Sequence, residues 1–201
     1  NKNDLKFSPD GRFLVSTGRD DRSVRVWSDT TDCEQLQKWN MAREVVGLRN
    51  TSVSVSVSPC SKYIAVSLGT HVFLKDVENG ETIKSLVLPP FFPHENIDTI
   101  QFSSNGRAIL ICRWGNGFLV ITVWHPYLDD DDEDRLIILL RQPHHKYDPN
   151  TMTYTFSQDT TMVAIHNMMT NKGIVWSIDM DHNCLTHKTD ILDITSLHFT
   201  P

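Results

Sequence analysis

Most of the features that announce a chemistry are scarce or missing in this chain. Its 201 residues hold four cysteines, Cys33, Cys60, Cys112 and Cys184, and no two of them form a C-x-x-C pair. That scatter suits neither zinc ligation nor a disulfide framework, and it fits four reduced thiols. No stretch reads as a secretory signal, so a reducing compartment is expected, the cytoplasm first and the nucleus second. The longest apolar runs, Leu136 to Leu140 and Phe118 to Trp124, fall far short of the ~20 residues that a spanning helix needs. No G-x-S-x-G positions a nucleophile, and no G-x-x-x-x-G-K-[ST] or G-x-G-x-x-G cradles a phosphate. Gly115-Asn116-Gly117 reads as a turn with no helix after it to bind an anion.

Charge of one sign is also missing over most of the chain. The formal net charge is −6, and Asp129-Asp130-Asp131-Asp132-Glu133-Asp134 accounts for all of it. Outside that run the acidic and basic side chains balance, and no basic stripe offers a footprint for nucleic acid. No cofactor, resident metal or membrane insertion is expected.

What is present is a recurring phrase. It reads Phe7-Ser8-Pro9-Asp10-Gly11-Arg12, then Val57-Ser58-Pro59-Cys60-Ser61-Lys62, then Phe102-Ser103-Ser104-Asn105-Gly106-Arg107. It returns as Phe156-Ser157-Gln158-Asp159-Thr160-Thr161, and a fifth copy opens at Phe199-Thr200-Pro201. Successive anchors lie 50, 45, 54 and 43 residues apart. A period of that size marks an array whose units bury their apolar faces only by stacking.

Within each unit the pattern predicts four short strands. In the first these are Leu5 to Ser8, Arg12 to Thr17, Val24 to Trp27 and, more weakly, Glu34 to Trp39. The fourth unit is predicted to close with Cys184 to His187, and Ile194 to Phe199 to open another. No segment sustains an apolar period of 3.6, so the fold class is all-β. Recurrence of the whole four-strand pattern favours a propeller over a sandwich. The units are expected at about 1–50, 51–95, 96–149 and 150–192, with a further one starting at 193–201.

These phrases resemble WD40 repeats, most fully in the first unit, where Thr17-Gly18-Arg19-Asp20-Asp21-Arg22-Ser23-Val24-Arg25-Val26-Trp27 follows the opening phrase. By that resemblance Asp21 takes the turn carboxylate position, six residues before Trp27, and Thr17 the hydroxyl position of the second strand. The partner His of a Gly-His pair is absent, since the chain has no Gly-His dipeptide. Trp124 and Trp176 keep the tryptophan, with Phe118 and Thr170 at the Asp position, and Lys75 replaces the tryptophan of the second unit. The resemblance implies a WD40-type propeller of seven or eight blades. Further blades are therefore expected from outside this stretch, a second copy of it being the lesser alternative. The start at Asn1 fits a portion of a longer protein.

Several residues stand out as candidates for binding. The run from Asp129 to Asp134 could attract a basic partner or a hard cation, or simply form a solvated, self-repelling loop. His144-His145 reads as surface histidines, because neighbours on an extended strand point to opposite faces. Phe91 and Phe92, in the proline-rich linker Leu88 to His94, either pack under the linker or anchor a partner. Arg19, Asp20 and Arg22 sit in a predicted turn, and Tyr127 precedes the acidic run. The function expected is a non-catalytic protein–protein interaction scaffold, working within a multi-protein complex through Arg19, Asp20, Arg22, Phe91, Phe92, Tyr127 and Asp129 to Asp132. The alternative is a ligand-sensing or autoinhibitory portion of a larger signalling nucleotide-triphosphatase.

Overall fold

Alternation within short strands decides the architecture, because it gives every sheet two apolar faces to cover. A computed structural model describes residues 5–18, 21–28, 34–41, 45, 53–89, 96–115, 118–128, 136–143, 152–157, 161–179 and 184–191. The first sheet contains β1 (Leu5–Phe7), β2 (Phe13–Gly18), β3 (Ser23–Ser28) and β4 (Gln35–Asn40). The second contains β5 (Val53–Val57), β6 (Tyr63–Leu68), β7 (His71–Asp76) and β8 (Thr82–Val87). The third contains β9 (Asn96–Phe102), β10 (Ile109–Gly115), β11 (Phe118–Trp124) and β12 (Leu136–Pro143). The fourth contains β13 (Met152–Phe156), β14 (Met162–Asn167), β15 (Lys172–Asp179) and β16 (Cys184–Ile191). Each sheet is an antiparallel meander built from one repeat, and among the described residues no strand pairs with another repeat. That is the arrangement of propeller blades rather than of a sandwich.

Three apolar cores lie between the four sheets. Phe13, Val15, Val24 and Val26 of the first meet Val55, Ile64, Val66 and Phe73 of the second. Ala65, Val72 and Leu74 then face Phe102, Ile109 and Ile111 of the third. Leu110, Cys112, Ile121 and Val123 face Phe156, Val163 and Ile165 of the fourth. The period of two sends neighbours to different cores: Ile109 and Ile111 pack backwards, while Leu110 and Cys112 pack forwards. This is why the inner strands read as nearly continuous apolar runs. Burial pushes the Cys112 thiol well above its usual range, so it packs as a small hydrophobe.

The recurring phrase is a clasp. In each repeat the serine N–H donates to the carbonyl five residues on: Ser8 to Phe13 at 2.9 Å, Ser58 to Tyr63 at 2.9 Å, Ser103 to Ala108 at 2.9 Å and Ser157 to Met162 at 3.0 Å. The same serine's Oγ accepts the N–H of that residue at 2.9–3.0 Å, in all four repeats. The serine thus closes both ends of the β1–β2 type of turn. Inside the turn a left-handed residue is required, at Gly11 (φ 75°), Ser61 (φ 57°) and Gly106 (φ 71°). Asp10 and Asn105 complete it by accepting from the serine hydroxyl, each at 2.7 Å. The Ser8 hydroxyl and the Arg12 backbone and guanidinium hold the Asp10 carboxyl well below the usual carboxylate range.

Ser103→Ala is expected to cost about 1–3 kcal/mol, because it strands the buried Ala108 N–H without an acceptor. Amide exchange at Ala108 should accelerate with the drop in stability. Unchanged protection there would remove the clasp from the account.

The strand limits shift by a residue or two from the sequence pattern at several ends. The largest difference is β16, which runs to Ile191 rather than stopping at His187. Its second half contains Lys188, Thr189 and Asp190, which are exposed on an outer strand and carry no apolar alternation to read. The segment from 192 to 201, with its expected opening strand, lies outside the described residues.

Candidate interaction surface

The meander places the turns after the first and third strands at one end of each sheet. The turn between the second and third strands lies at the other end. This separates the candidate residues. Arg22 belongs to the β2–β3 turn and Tyr127 to the turn after β11, so they occupy opposite ends of the blades. Arg19, Asp20, Phe91, Phe92 and Asp129 to Asp132 lie outside the described residues, as do His144 and His145.

At the β2–β3 end of the first blade, Asp21 organises the turn. Its Oδ1 accepts from the Ser23 N–H at 3.1 Å and the Ser23 hydroxyl at 2.7 Å, and its Oδ2 pairs with Arg25. Lys38 on β4 approaches to 3.8 Å. The Ser23 hydroxyl, its backbone N–H and the Arg25 and Lys38 charges together lower the Asp21 carboxyl. Gly18 lets that carboxylate lie close, since a Cβ there would come within 2.3 Å of Asp21 Oδ1 and displace it. Arg22 adopts a left-handed φ of 48°, and its carbonyl accepts the Met41 N–H at 3.0 Å. All of this ties the turn to β4.

Of the residues matched by resemblance, Thr17 lies on β2 as expected and Trp27 on β3. Thr17 is buried on the face toward the second blade, along with Phe13 and Val15. The hydroxyl that meets Trp27 is that of Ser16, which accepts from the indole N–H at 2.9 Å. Strand alternation is the reason, since residues 14 and 16 share the face of Trp27 and residues 13, 15 and 17 do not. Trp27 itself is only half-buried, whereas Trp124 and Trp176 are buried at 0% and 8% exposure.

At the opposite end, between the second and third blades, an aromatic ledge forms. Tyr127 is 51% exposed and its ring lies 6.2 Å from that of Tyr63, tilted by 53°. The covered half of Tyr127, with Tyr63 and Cys60 beside it, pushes its phenol up to about 12, so it remains a neutral hydrogen-bond donor. The ledge is held in place from two blades. Lys84 of β8 donates its Nζ to the Leu128 carbonyl at 2.9 Å, and Leu128 N–H closes a turn on His125 at 3.2 Å. A half-exposed tyrosine on a fixed turn can contact a partner with little loss of side-chain freedom. The six acidic residues follow one position after Leu128.

The burial of two basic residues, Lys75 and Arg113, was not read from the sequence. Lys75 is 3% exposed, donates to Thr82 Oγ1 at 2.8 Å, and sits 5.4 Å above the Trp39 ring of the first blade. Arg113 is completely buried and donates to the Pro89 carbonyl at 2.9 Å and to Thr122 Oγ1 at 3.1 Å. It thereby anchors the start of the linker that carries Phe91 and Phe92. A charged residue inside an apolar strand is the signal that could have flagged each. Among the described residues no group of three or more His, Cys, Asp or Glu could hold a metal.

Comparison with known proteins agrees with this geometry. Residues 2–28 match the family described as WD domain, G-beta repeat. A chain of Kuenenia stuttgartiensis hydrazine synthase superposes with a TM-score of 0.63 at 16% identity, over 94% of this chain and 48% of that one. The β-propeller domain of Myceliophteria thermophila Cps50 (Swd1) superposes with a TM-score of 0.52 at 14% identity, over 94% and 70% respectively. This chain thus spans about half the length of the hydrazine synthase chain. No curated protein matches the sequence. At such identities the likeness is one of fold, and it transfers no activity.

Proposed function

We propose that this chain, a strip of four WD40-type β-propeller blades, is a non-catalytic platform on which protein partners dock within a larger assembly. The observation that carries this reading is the ledge of Tyr63 and Tyr127, a half-exposed aromatic held rigidly across two blades immediately before six carboxylates. Aromatic side chains dominate interface hot spots, and a dense negative charge beside one steers a basic segment toward it. The partner expected at this ledge is a protein segment rich in Arg and Lys. Arg19, Asp20 and Arg22, with Phe91 and Phe92, are proposed as a second docking region rather than an extension of the ledge.

The test compares pull-downs from lysate by the parent, by Tyr127→Ala, and by a variant with Asp129 to Asp132 replaced by Ser. The melting temperature of each variant is measured alongside, so that loss of partners is read on folded protein. Both should lose the same partners at low salt, and the parent should lose them as salt rises through the range where the screening length falls below about 10 Å. An unchanged set of partners in both variants would refute a docking role for the ledge.

A further inference from the structure

In the first three repeats the residue just after the left-handed position of the serine clasp is basic: Arg12, Lys62 and Arg107. All three are exposed. The fourth repeat has Thr161 there, so the cations stop at the third blade. Their turns touch in order. The Asp10 N–H donates to Ser61 Oγ at 3.3 Å, and Pro59 lies 3.5 Å from where a Cβ of Gly106 would stand. The second and third blades also converge at their first strands, since Ser56 of β5 accepts from the Phe102 N–H of β9 at 3.0 Å. The three cations therefore form a row where the sheets come closest, inward of Tyr127, which follows a third strand.

The turns treat that charge differently. Asp10 Oδ1 accepts from the Ser8 hydroxyl at 2.7 Å and the Arg12 N–H at 3.1 Å, while its Oδ2 pairs with the Arg12 guanidinium at 2.6 Å. In the third turn Asn105 Oδ1 accepts from the Ser103 hydroxyl at 2.7 Å and the Arg107 N–H at 2.9 Å. An amide oxygen thus closes the turn as well as a carboxylate oxygen does, and only the neutralising partner of the cation is lost. In the second turn Cys60 holds the place, with its Sγ 3.3 Å from the Ser58 hydroxyl. Among the described residues no carboxylate lies within ion-pair distance of Lys62 or Arg107.

We propose that Lys62 and Arg107 form an anion-binding pair across the second and third blades, and that its occupant is an acidic segment of a partner protein. The guanidinium offers a planar fork that fits one carboxylate, and the ammonium a point charge for a second. Packed sheets lie about 10 Å apart, a span that about three residues of an extended chain cross. Nucleic acid fits less well, because two free cations release few counterions and the net charge of −6 repels a long polyphosphate. The proposal holds whichever partner meets the tyrosine ledge.

The test is fluorescence anisotropy of the full-length protein with a fluorescein-labelled peptide of alternating glutamate and serine. Lys62→Ala and Arg107→Ala should each weaken binding by about two- to fivefold, the size of one exposed ion pair, and less as salt rises. Asp10→Asn should act in the opposite sense. It keeps the Oδ1 contacts, as Asn105 does, and frees Arg12, so the row gains a third cation and binding should tighten by a similar factor. Melting temperatures taken alongside keep the comparison on folded protein. Equal binding by the parent, Lys62→Ala and Arg107→Ala would overturn the proposal, as would an Asp10→Asn variant that fails to tighten. A labelled oligothymidylate that binds more tightly than the glutamate peptide, and weakens with the same two substitutions, would assign the pair to nucleic acid and overturn it equally. Failure here leaves the ledge standing, because the ledge is tested by other substitutions.

Discussion

Replacing Trp124 by alanine is expected to destabilise the protein by about 3–5 kcal/mol, the range for truncating a large buried aromatic. Its ring is fully enclosed between the second and third blades, among Ala65, Val72, Leu74, Leu86, Leu88, Phe102 and Ile109. These neighbours come from several strands of two sheets, whose backbones are fixed by their own ladders, so the cavity cannot collapse without breaking register. Removing the ring should therefore loosen the contact between two blades rather than one side-chain site. Trp124→Phe should be far milder. Among the described residues the buried indole N–H has no hydrogen-bond partner, and an orphaned donor costs about 1–3 kcal/mol. Phenylalanine removes that donor while giving up only part of the volume, and the two changes oppose each other. Urea denaturation with a shared m-value measures both. An alanine variant within about 1 kcal/mol of the parent would contradict the enclosure of this ring.

The architecture was legible because the repeated phrase carries its own chemistry. Serine is the residue common to Phe7-Ser8, Val57-Ser58, Phe102-Ser103 and Phe156-Ser157, and it proves to be the turn's clasp. Read from sequence, the Pro-Asp-Gly letters attract attention first. Yet Cys60 replaces the Asp and Ser61 the Gly in the second repeat, and the clasp still closes. Relations between blades were far less visible. Tyr63 and Tyr127 are 64 residues apart in sequence and meet only because the second and third blades stack. Nothing near Tyr127 signals its neighbour. The Ser16 hydroxyl that accepts from Trp27 was not singled out either, since a motif marks positions along the strand while the pleat decides the face. For Trp27 the sequence motif is the best of the four, and its burial is the poorest, because burial depends on the adjoining blade and not on the motif.

The same logic makes the substitution at Lys75 the most instructive to reverse. Taken repeat by repeat, Lys75 is a lost tryptophan. Taken between blades, the indole has moved across the contact to Trp39, 36 residues earlier, and the lysine ammonium now rests over its face. Close packing leaves no room for both rings. Gly80 already marks how tight the region is, since a Cβ there would come within 2.8 Å of Trp39 Nε1. Lys75→Trp alone should therefore overpack the rim and cost about 1–3 kcal/mol. Trp39→Leu alone leaves a cavity and strips the ammonium of its aromatic partner, at a cost of about 2–5 kcal/mol. Together the two changes place a leucine opposite Val24 and a tryptophan opposite Ile64, the register positions that Leu86 and Trp124 hold in the next interface. The double variant should be more stable than the sum of the single effects by about 1–3 kcal/mol, the coupling expected for residues in direct contact. Thermal and urea melts of the four proteins close the cycle. Strict additivity would mean that the two interfaces are not built on one plan.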